Sequence, residues 1–493
     1  MCLLSQRNYT PNKVKSSLGI VNFHYVYYHC RLALTSTNTV NESKATNRNN
    51  DLLNGPIFET LRRMTLPMIL AMIMLMTFGL ADTFFVSMLG TEELAAISFT
   101  FPVTFTIISL NIGLGIGTSA IIGRSLGSGE THLAKEFATG ALMLSFILVG
   151  ALAFIGYLTI DPIFRLMGAT DDLLPYINDY MVVWYAAAIF LAVPMVGNSV
   201  LRAAGDTKTP SIIMTCGGII NVILDPIFIF GWGPVPAMGI QGAALATAIA
   251  WGIGLLYILY LLAVKRKLML PRLLTLKELK LTSGGVLRIG LPAAGANMLT
   301  PIAGGIITAI AAGYGPGAVA AWGVGSRLES IASILVLALS MSLPPFISQN
   351  FGANKVTRVA SSYVLSLKFV LIIQLVVYLL LCLVAPFVAS LFAEEQQVAD
   401  LIVLFLYIVP LGYGLQGVVI LTNSSFNAMH QPISALILSV IRLFLFFVPL
   451  AYLGSELLDI KGMFFGIILA NICTAIVAYV WFTKSINTRH QPA

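Results

Sequence analysis

Five ionisable residues stand inside long apolar runs of this sequence: Asp82, Asp225, Arg327, Glu329 and Arg442, with Lys368 a sixth candidate. A charge at the centre of a bilayer costs roughly 3 kcal/mol or more, so residues of this kind are functional candidates first. Buried carboxylates can hold a hard cation, or carry a proton when burial and mutual repulsion raise their proton affinity. The basic residues suit ion pairing across a helix bundle, or a gating or substrate role. All five histidines fall in loops or tails, which leaves no histidine relay.

Depth arithmetic groups some of these residues. Asp82 lies about 18 residues, or about 27 Å, into its apolar run at 1.5 Å per residue. Asp225 lies about 17 residues into the fifth run, which points the same way, so both reach the same height. Asn221 precedes Asp225 by one helical turn and shares its face. Thr247 enters that level from the opposite direction, about nine residues into the sixth run. Two carboxylates, an amide and a hydroxyl at one depth form an oxygen-rich cage for a hard cation or for protons. Plain hydrogen-bonded glue between helices is the competing reading. Arg327 and Glu329 are two positions apart and point to different helix faces, so they cannot pair directly. Arg442 and Lys368 are the candidate partners for Glu329. Trp184, Tyr185, Met68 and Met72 suit either a cavity for flat cations or ordinary packing.

The elements that must position these groups are membrane helices. Of 493 residues, 58% are hydrophobic and only 10% charged, where about 25% is usual. Such a chain cannot clothe a soluble surface. Twelve apolar runs follow from residue 64: 64–89, 94–120, 134–159, 174–200, 209–231, 238–263, 285–312, 317–347, 359–389, 399–423, 433–453 and 461–483. Alternate loops carry nearly all the lysine and arginine, and the others hold acids such as Glu92, Glu93, Asp171, Glu394 and Glu395. Basic loops stay cytoplasmic, which places both termini inside the cell. The net charge of +7 is spread through short loops and suits lipid headgroups rather than nucleic acid. Five scattered cysteines read as isolated, mostly buried thiols.

A repeat divides the chain. Leu66-Pro67 matches Leu291-Pro292, Gly90 matches Gly315 and Gly127 matches Gly352, all 225 residues apart. Pro210 pairs with Pro432 after a drift to 222. The expected organisation is an N-terminal extension at 1–55 that is disordered or precedes the true start, an N-lobe at 56–264, a basic linker at 265–284, a C-lobe at 285–485 and a tail at 486–493. The fold is then an all-α integral membrane protein of twelve helices in two six-helix lobes related by a parallel repeat, which suits alternating access.

The stretches Gly79-Leu80-Ala81-Asp82, Leu201-Arg202-Ala203-Ala204-Gly205-Asp206-Thr207-Lys208, Asn221-Val222-Ile223-Leu224-Asp225-Pro226 and Gly242-Ala243-Ala244-Leu245-Ala246-Thr247 resemble multidrug and toxic compound extrusion (MATE) transporters, most nearly the DinF-like branch. The resemblance runs from about residue 60 to 485. It implies efflux of amphipathic organic cations driven by Na⁺ or H⁺, with no other cofactor. It carries Asp82, Asn221, Asp225 and Thr247 onto the cation site and Pro67 onto a helix-bending proline. Glu329 does not match the acidic C-lobe positions of other branches, so that C-lobe site is not carried over. Arg327, Glu329 and Arg442 keep a substrate or gating role open. The basic trio Arg327, Lys368 and Arg442 also leaves a lipid-linked oligosaccharide flippase as the alternative. No P-loop, zinc-protease or nucleophile-elbow pattern is present, so an enzyme is not expected. The expected setting is a monomer in the bacterial inner membrane, with organic cations and lipids as partners.

Overall fold

The computed structural model describes residues 51–490. The expected extension through residue 50, with Cys2 and Cys30, lies outside the described residues, as do residues 491–493. Within them the chain is helical apart from turns and one isolated bridge, Trp232 to Val235. The helices are α1 Ile57–Ser87, α2 Thr91–Gly127, α3 Thr131–Leu158, α4 Leu174–Ala203, α5 Lys208–Phe230 and α6 Gly239–Lys265, followed by α7 Leu276–Ala312, α8 Pro316–Ala332, α9 Ile334–Gly352, α10 Val356–Phe392, α11 Gln396–Ala428 and α12 Pro432–Thr488. The pair α8 and α9 makes one crossing, interrupted at Ser333. Helix α12 makes two, because its backbone leaves helical geometry at Leu458 and Asp459. Beyond that break Gly462 packs on Gly454 and Gly466 on Leu450, so the chain folds back on itself. Twelve crossings result, as the loop-charge alternation requires.

Two boundaries move. The linker expected at 265–284 ends at Thr275, where a capping box starts α7. The Thr275 amide donates to Glu278 at 2.8 Å, and the Glu278 amide donates back to the Thr275 hydroxyl. Arg272 grips the same carboxylate with both Nη atoms at 2.7 and 2.8 Å. The charges of Lys277, Glu278 and Lys280 suggested a loop; they are the first turns of a helix. At the far end, the expected tail from 486 continues as helix to His490. Of the described cysteines none is buried: Cys216 is exposed and Cys382 and Cys473 are half-buried. Their place on lipid-facing or part-exposed helix surface explains the difference, since a membrane helix has no water to hide them from.

The lobes α1–α6 and α7–α12 meet along a seam at the end that carries the basic loops. Helix α2 packs on α7 and α9, and α1 packs on α9. Small residues make this approach close. A Cβ on Gly127 would strike the carbonyl of Gln349, and one on Gly352 would strike that of Arg124. These two contacts are images of one another, because 124 and 127 map onto 349 and 352 at the repeat offset of 225. Gly117 against Gly290 has its image in Thr65 against Ser342, whose hydroxyls are 2.7 Å apart. The seam is thus pseudo-twofold. No described hydrogen bond or glycine contact joins the lobes in their other halves, so the bundle forms a V open at the acidic-loop end.

Residues 51–55, expected to belong to the extension, latch this seam. Leu52 is buried in the C-lobe core beside Phe346 and Tyr363, and against Gly205 of the N-lobe. Arg358 donates to the carbonyls of Leu52 and Gly55 at 3.2 and 2.8 Å, and Asn350 to that of Leu52 at 3.1 Å. Lys355 binds the carbonyl of Leu53 and the Asn54 side chain. A chain lacking residues 2–48 should therefore unfold at the wild-type temperature in detergent. Leu52→Ala should lose about 2–5 kcal/mol, read as a lowered Tm, since a filled core site is emptied. An unchanged Tm for Leu52→Ala would remove the latch from the account.

Candidate functional site

The site forms where α1, α5 and α6 cross in the N-lobe. Helix α1 packs on α5 and α5 on α6. Gly218 and Gly242 set both distances. A Cβ on Gly218 would overlap the Phe78 ring of α1, and one on Gly242 would meet the carbonyl of Phe228 on α5. Phe78 and Gly218 each lie within two turns of Asp82 and Asp225, so their contact draws the two acids toward one level.

At that level Asn221 Nδ2 donates to Asp225 Oδ1 at 3.1 Å and to Thr247 Oγ1 at 3.2 Å. Asp225 is fully buried, and its Oδ2 has no hydrogen-bond partner. Asp82 makes no hydrogen bond here but lies within electrostatic reach of Asp225. The structure thus joins three of the four expected residues directly and places Asp82 beside them. Tyr180 of α4 lies within electrostatic reach of both carboxylates and went unread in the sequence. It sits among the apolar residues of a long run, where spacing alone gives it no distinction.

An apolar cap covers the cluster. Val86, Ile229 and Ala243 are mutually packed and essentially buried. Each stands four positions from a site residue: Val86 from Asp82, Ile229 from Asp225 and Ala243 from Thr247. All three lie one turn toward the acidic-loop end, so that route to the cluster is closed by hydrocarbon. Pro226, next to Asp225, cannot donate a backbone hydrogen bond, and its ring crowds the Val222 carbonyl. Helix α5 nevertheless runs unbroken through it. Pro67 likewise lies inside an unbroken α1.

The donor set fits a hard cation. Asn221 spends its amide hydrogens on its neighbours, leaving its Oδ1 available beside the open Oδ2 of Asp225, the Thr247 hydroxyl and the Asp82 carboxylate. Oxygen atoms of this kind suit Na⁺, and the paired carboxylates suit protons equally. Among the described residues no group of three or more His, Cys, Asp or Glu could hold a metal.

The C-lobe polar residues take a different arrangement. Glu329 of α8 accepts from Gln416 Nε2 of α11 at 2.8 Å and feels the charge of Arg442 on α12. Lys368, the other expected partner, is exposed, as is Arg327. Trp184, Tyr185, Met68 and Met72 are all buried, with Trp184 edge-on to Trp251, so packing is their role. Their large side chains fill helix crossings rather than line a cavity.

Two repeated lobes around an open V, with a buried ion-sized cluster in one of them, define a membrane transporter, not an enzyme. The MatE family model matches residues 67–227 and again 292–453. The chain belongs to that family, the MATE transporters. It is 44% identical over 428 residues to the FAD transporter of Shewanella oneidensis, covering 87% of this chain and 95% of that protein. It is 28% identical over 409 residues to the probable multidrug resistance protein YoeA of Bacillus subtilis, covering 81% and 88%. Among solved structures it resembles the Vibrio cholerae MATE transporter VcmN in its bent form, with TM-score 0.83 and 34% identity, covering 90% of this chain and 98% of that one. The two matched segments begin 225 residues apart, the spacing of the sequence repeat.

The packing that builds the site gives a direct test. Gly218→Ala should destabilise the protein by about 1–3 kcal/mol through overpacking against Phe78 and weaken ion-driven efflux. Gly217→Ala, whose Cβ meets nothing within 4 Å, should do neither. Thermal unfolding and vesicle transport of both variants, side by side, would decide it.

Proposed function

We propose that this protein is a secondary active exporter in which entry of Na⁺ or H⁺ at Asp82, Asn221, Asp225 and Thr247 drives cargo out by alternating access. The buried, unpartnered Asp225 Oδ2 carries this reading. A carboxylate oxygen denied both water and a donor needs a cation or a proton, and it holds either only while the lobe stays in one shape. The basic loops set the membrane orientation by the positive-inside rule, with the V opening outward and both termini in the cytoplasm. In a bacterium the membrane is the inner one, and one monomer contains both lobes that alternating access needs. Pro226 weakens α5 next to the site, so a change of charge there can become a change of helix bend, while Pro67 weakens α1 about 22 Å nearer the basic-loop end.

Cargo admits two readings. The 44% relative named a FAD transporter favours a flavin dinucleotide. The relative named a multidrug resistance protein, together with the acids of the N-lobe, favours amphipathic organic cations. Both are flat aromatic solutes, and both suit the same coupling. A lipid-linked oligosaccharide flippase is less favoured, since its pyrophosphate calls for several basic groups where the N-lobe offers acids.

Coupling requires that cation and cargo disfavour each other equally. In everted vesicles, an imposed Na⁺ or pH gradient should drive efflux of ethidium or FAD by the wild type. Asp82→Asn and Asp225→Asn should insert normally and lose gradient-driven efflux. Cargo binding to Asp225→Asn should ignore the coupling cation. A mutant whose cargo affinity still falls with that cation as steeply as the wild type's would move the coupling elsewhere.

A further inference from the structure

The repeat that builds two similar lobes does not build two similar sites. At the offset of 225, Asp82 maps onto Ile307, and at 222 Asp225 maps onto Phe447. Both of these pack in the C-lobe's hydrophobic cluster. The C-lobe instead gathers Glu329 and Gln416 with Arg442 and Tyr413 at mid-membrane depth. Arg442 stands ten residues into its arm of α12, about 15 Å from the basic-loop end. The local backbone there is a π-helix, Ile441–Phe447, a distortion that is frequent at functional sites and also ends α6 at Leu261–Lys265. Exposed Ile433, Ile437, Val440 and Phe444 mark the arm's outer stripe, and Arg442 stands off it, toward Glu329.

Hydrogen-bond accounting in this cluster leaves donors in excess. Arg442 makes no hydrogen bond among the described residues. Its Nε is buried without a partner, while its two Nη groups are not enclosed. The Tyr413 hydroxyl is also buried without a partner and lies within electrostatic reach of Glu329. Glu329, the one carboxylate in reach of the guanidinium, has committed Oε1 to Gln416. A guanidinium kept at membrane depth without a hydrogen-bonded acid is costly. Its fork geometry matches a phosphate.

From this arrangement we infer that the C-lobe cluster is an anion subsite, in which Arg442 and Tyr413 receive a phosphate group of the cargo while the N-lobe receives the coupling cation. The inference rests on the exporter reading and narrows its cargo to aromatic solutes that carry phosphate, such as a flavin dinucleotide. Glu329 then tempers the site. Its negative charge opposes the phosphate, keeping binding weak enough for release.

FMN and riboflavin share a ring system and differ only in one phosphate, so calorimetric titration of purified protein with both isolates the subsite. Wild type should bind FMN about tenfold or more tighter than riboflavin, as charged hydrogen bonds of this type allow. Arg442→Gln should abolish that preference. Glu329→Gln keeps an acceptor for Gln416 but removes the opposing charge, and should widen the preference severalfold. A structural ion-pair role predicts the opposite sign for Glu329→Gln, which also serves where Arg442→Gln fails to fold. Inorganic pyrophosphate should compete with FAD in wild type and not in Arg442→Gln; competition by phosphatidylglycerol micelles alone would assign the subsite to lipid and overturn the cargo role. Equal binding of the two flavins by wild type, no binding of either, or a preference that survives Arg442→Gln also overturns it. Any of those results leaves ethidium efflux and its Asp225 dependence to judge the exporter reading separately.

Discussion

Everything in this protein depends on how closely two helical lobes can approach at one end only. Glycine at 117, 127, 290 and 352 removes the side chains that would hold backbones apart there, and the repeat supplies each contact with its image. Without a hydrophobic drive between helices in lipid, such close packing is what holds a membrane bundle together. A seam confined to one end leaves the other halves free to diverge. The V is its direct consequence, and the alternating access proposed above would pivot on these small paired contacts. The latch of residues 51–55 adds hydrogen bonds across that same end, from Arg358, Asn350 and Lys355 to main-chain carbonyls.

Inside the N-lobe the same principle works at a smaller scale. Gly218 and Gly242 let three helices close around Asp225, and the apolar trio Val86, Ile229 and Ala243 seals them one turn further out. Burial without full hydrogen bonding leaves the carboxylate incomplete, which is why the proposed coupling is assigned to it. The buried ion pair of Asp206 and Arg266 braces the other end of α5 and α6. Asp206 also accepts from the Thr209 amide and hydroxyl, which fixes the first turn of α5.

The two lobes share a backbone plan and differ in charge. The paired acids occur in one lobe, and the corresponding C-lobe positions are filled by Ile307 and Phe447. In the exporter proposed above, separating ion and cargo functions between lobes would let each be tuned without disturbing the seam, because neither cluster includes a seam residue.

Much of this was legible in the sequence. Apolar runs, loop charge and a 225-residue repeat determined a two-lobed membrane bundle, since hydrophobic length and charge placement act locally and need no partner. Helical rise alone put Asp82, Asn221, Asp225 and Thr247 at one height. Height is not contact, however. Which faces meet was decided by the glycine-set distances between α1, α5 and α6, which also brought in Tyr180 of α4. The same holds for Arg442, whose partner could have been read as either an ion pair or an open charge. Only the packed structure showed Glu329 hydrogen-bonded to Gln416, leaving the guanidinium free of hydrogen bonds. The start of α7 at Leu276 was written in Thr275 and Glu278, but charge on an exposed helix turn looks like charge in a loop until the cap forms. Sequence determines what a residue can do and how far along its helix it lies; rotation and proximity belong to the tertiary structure, because they arise from side chains of other helices.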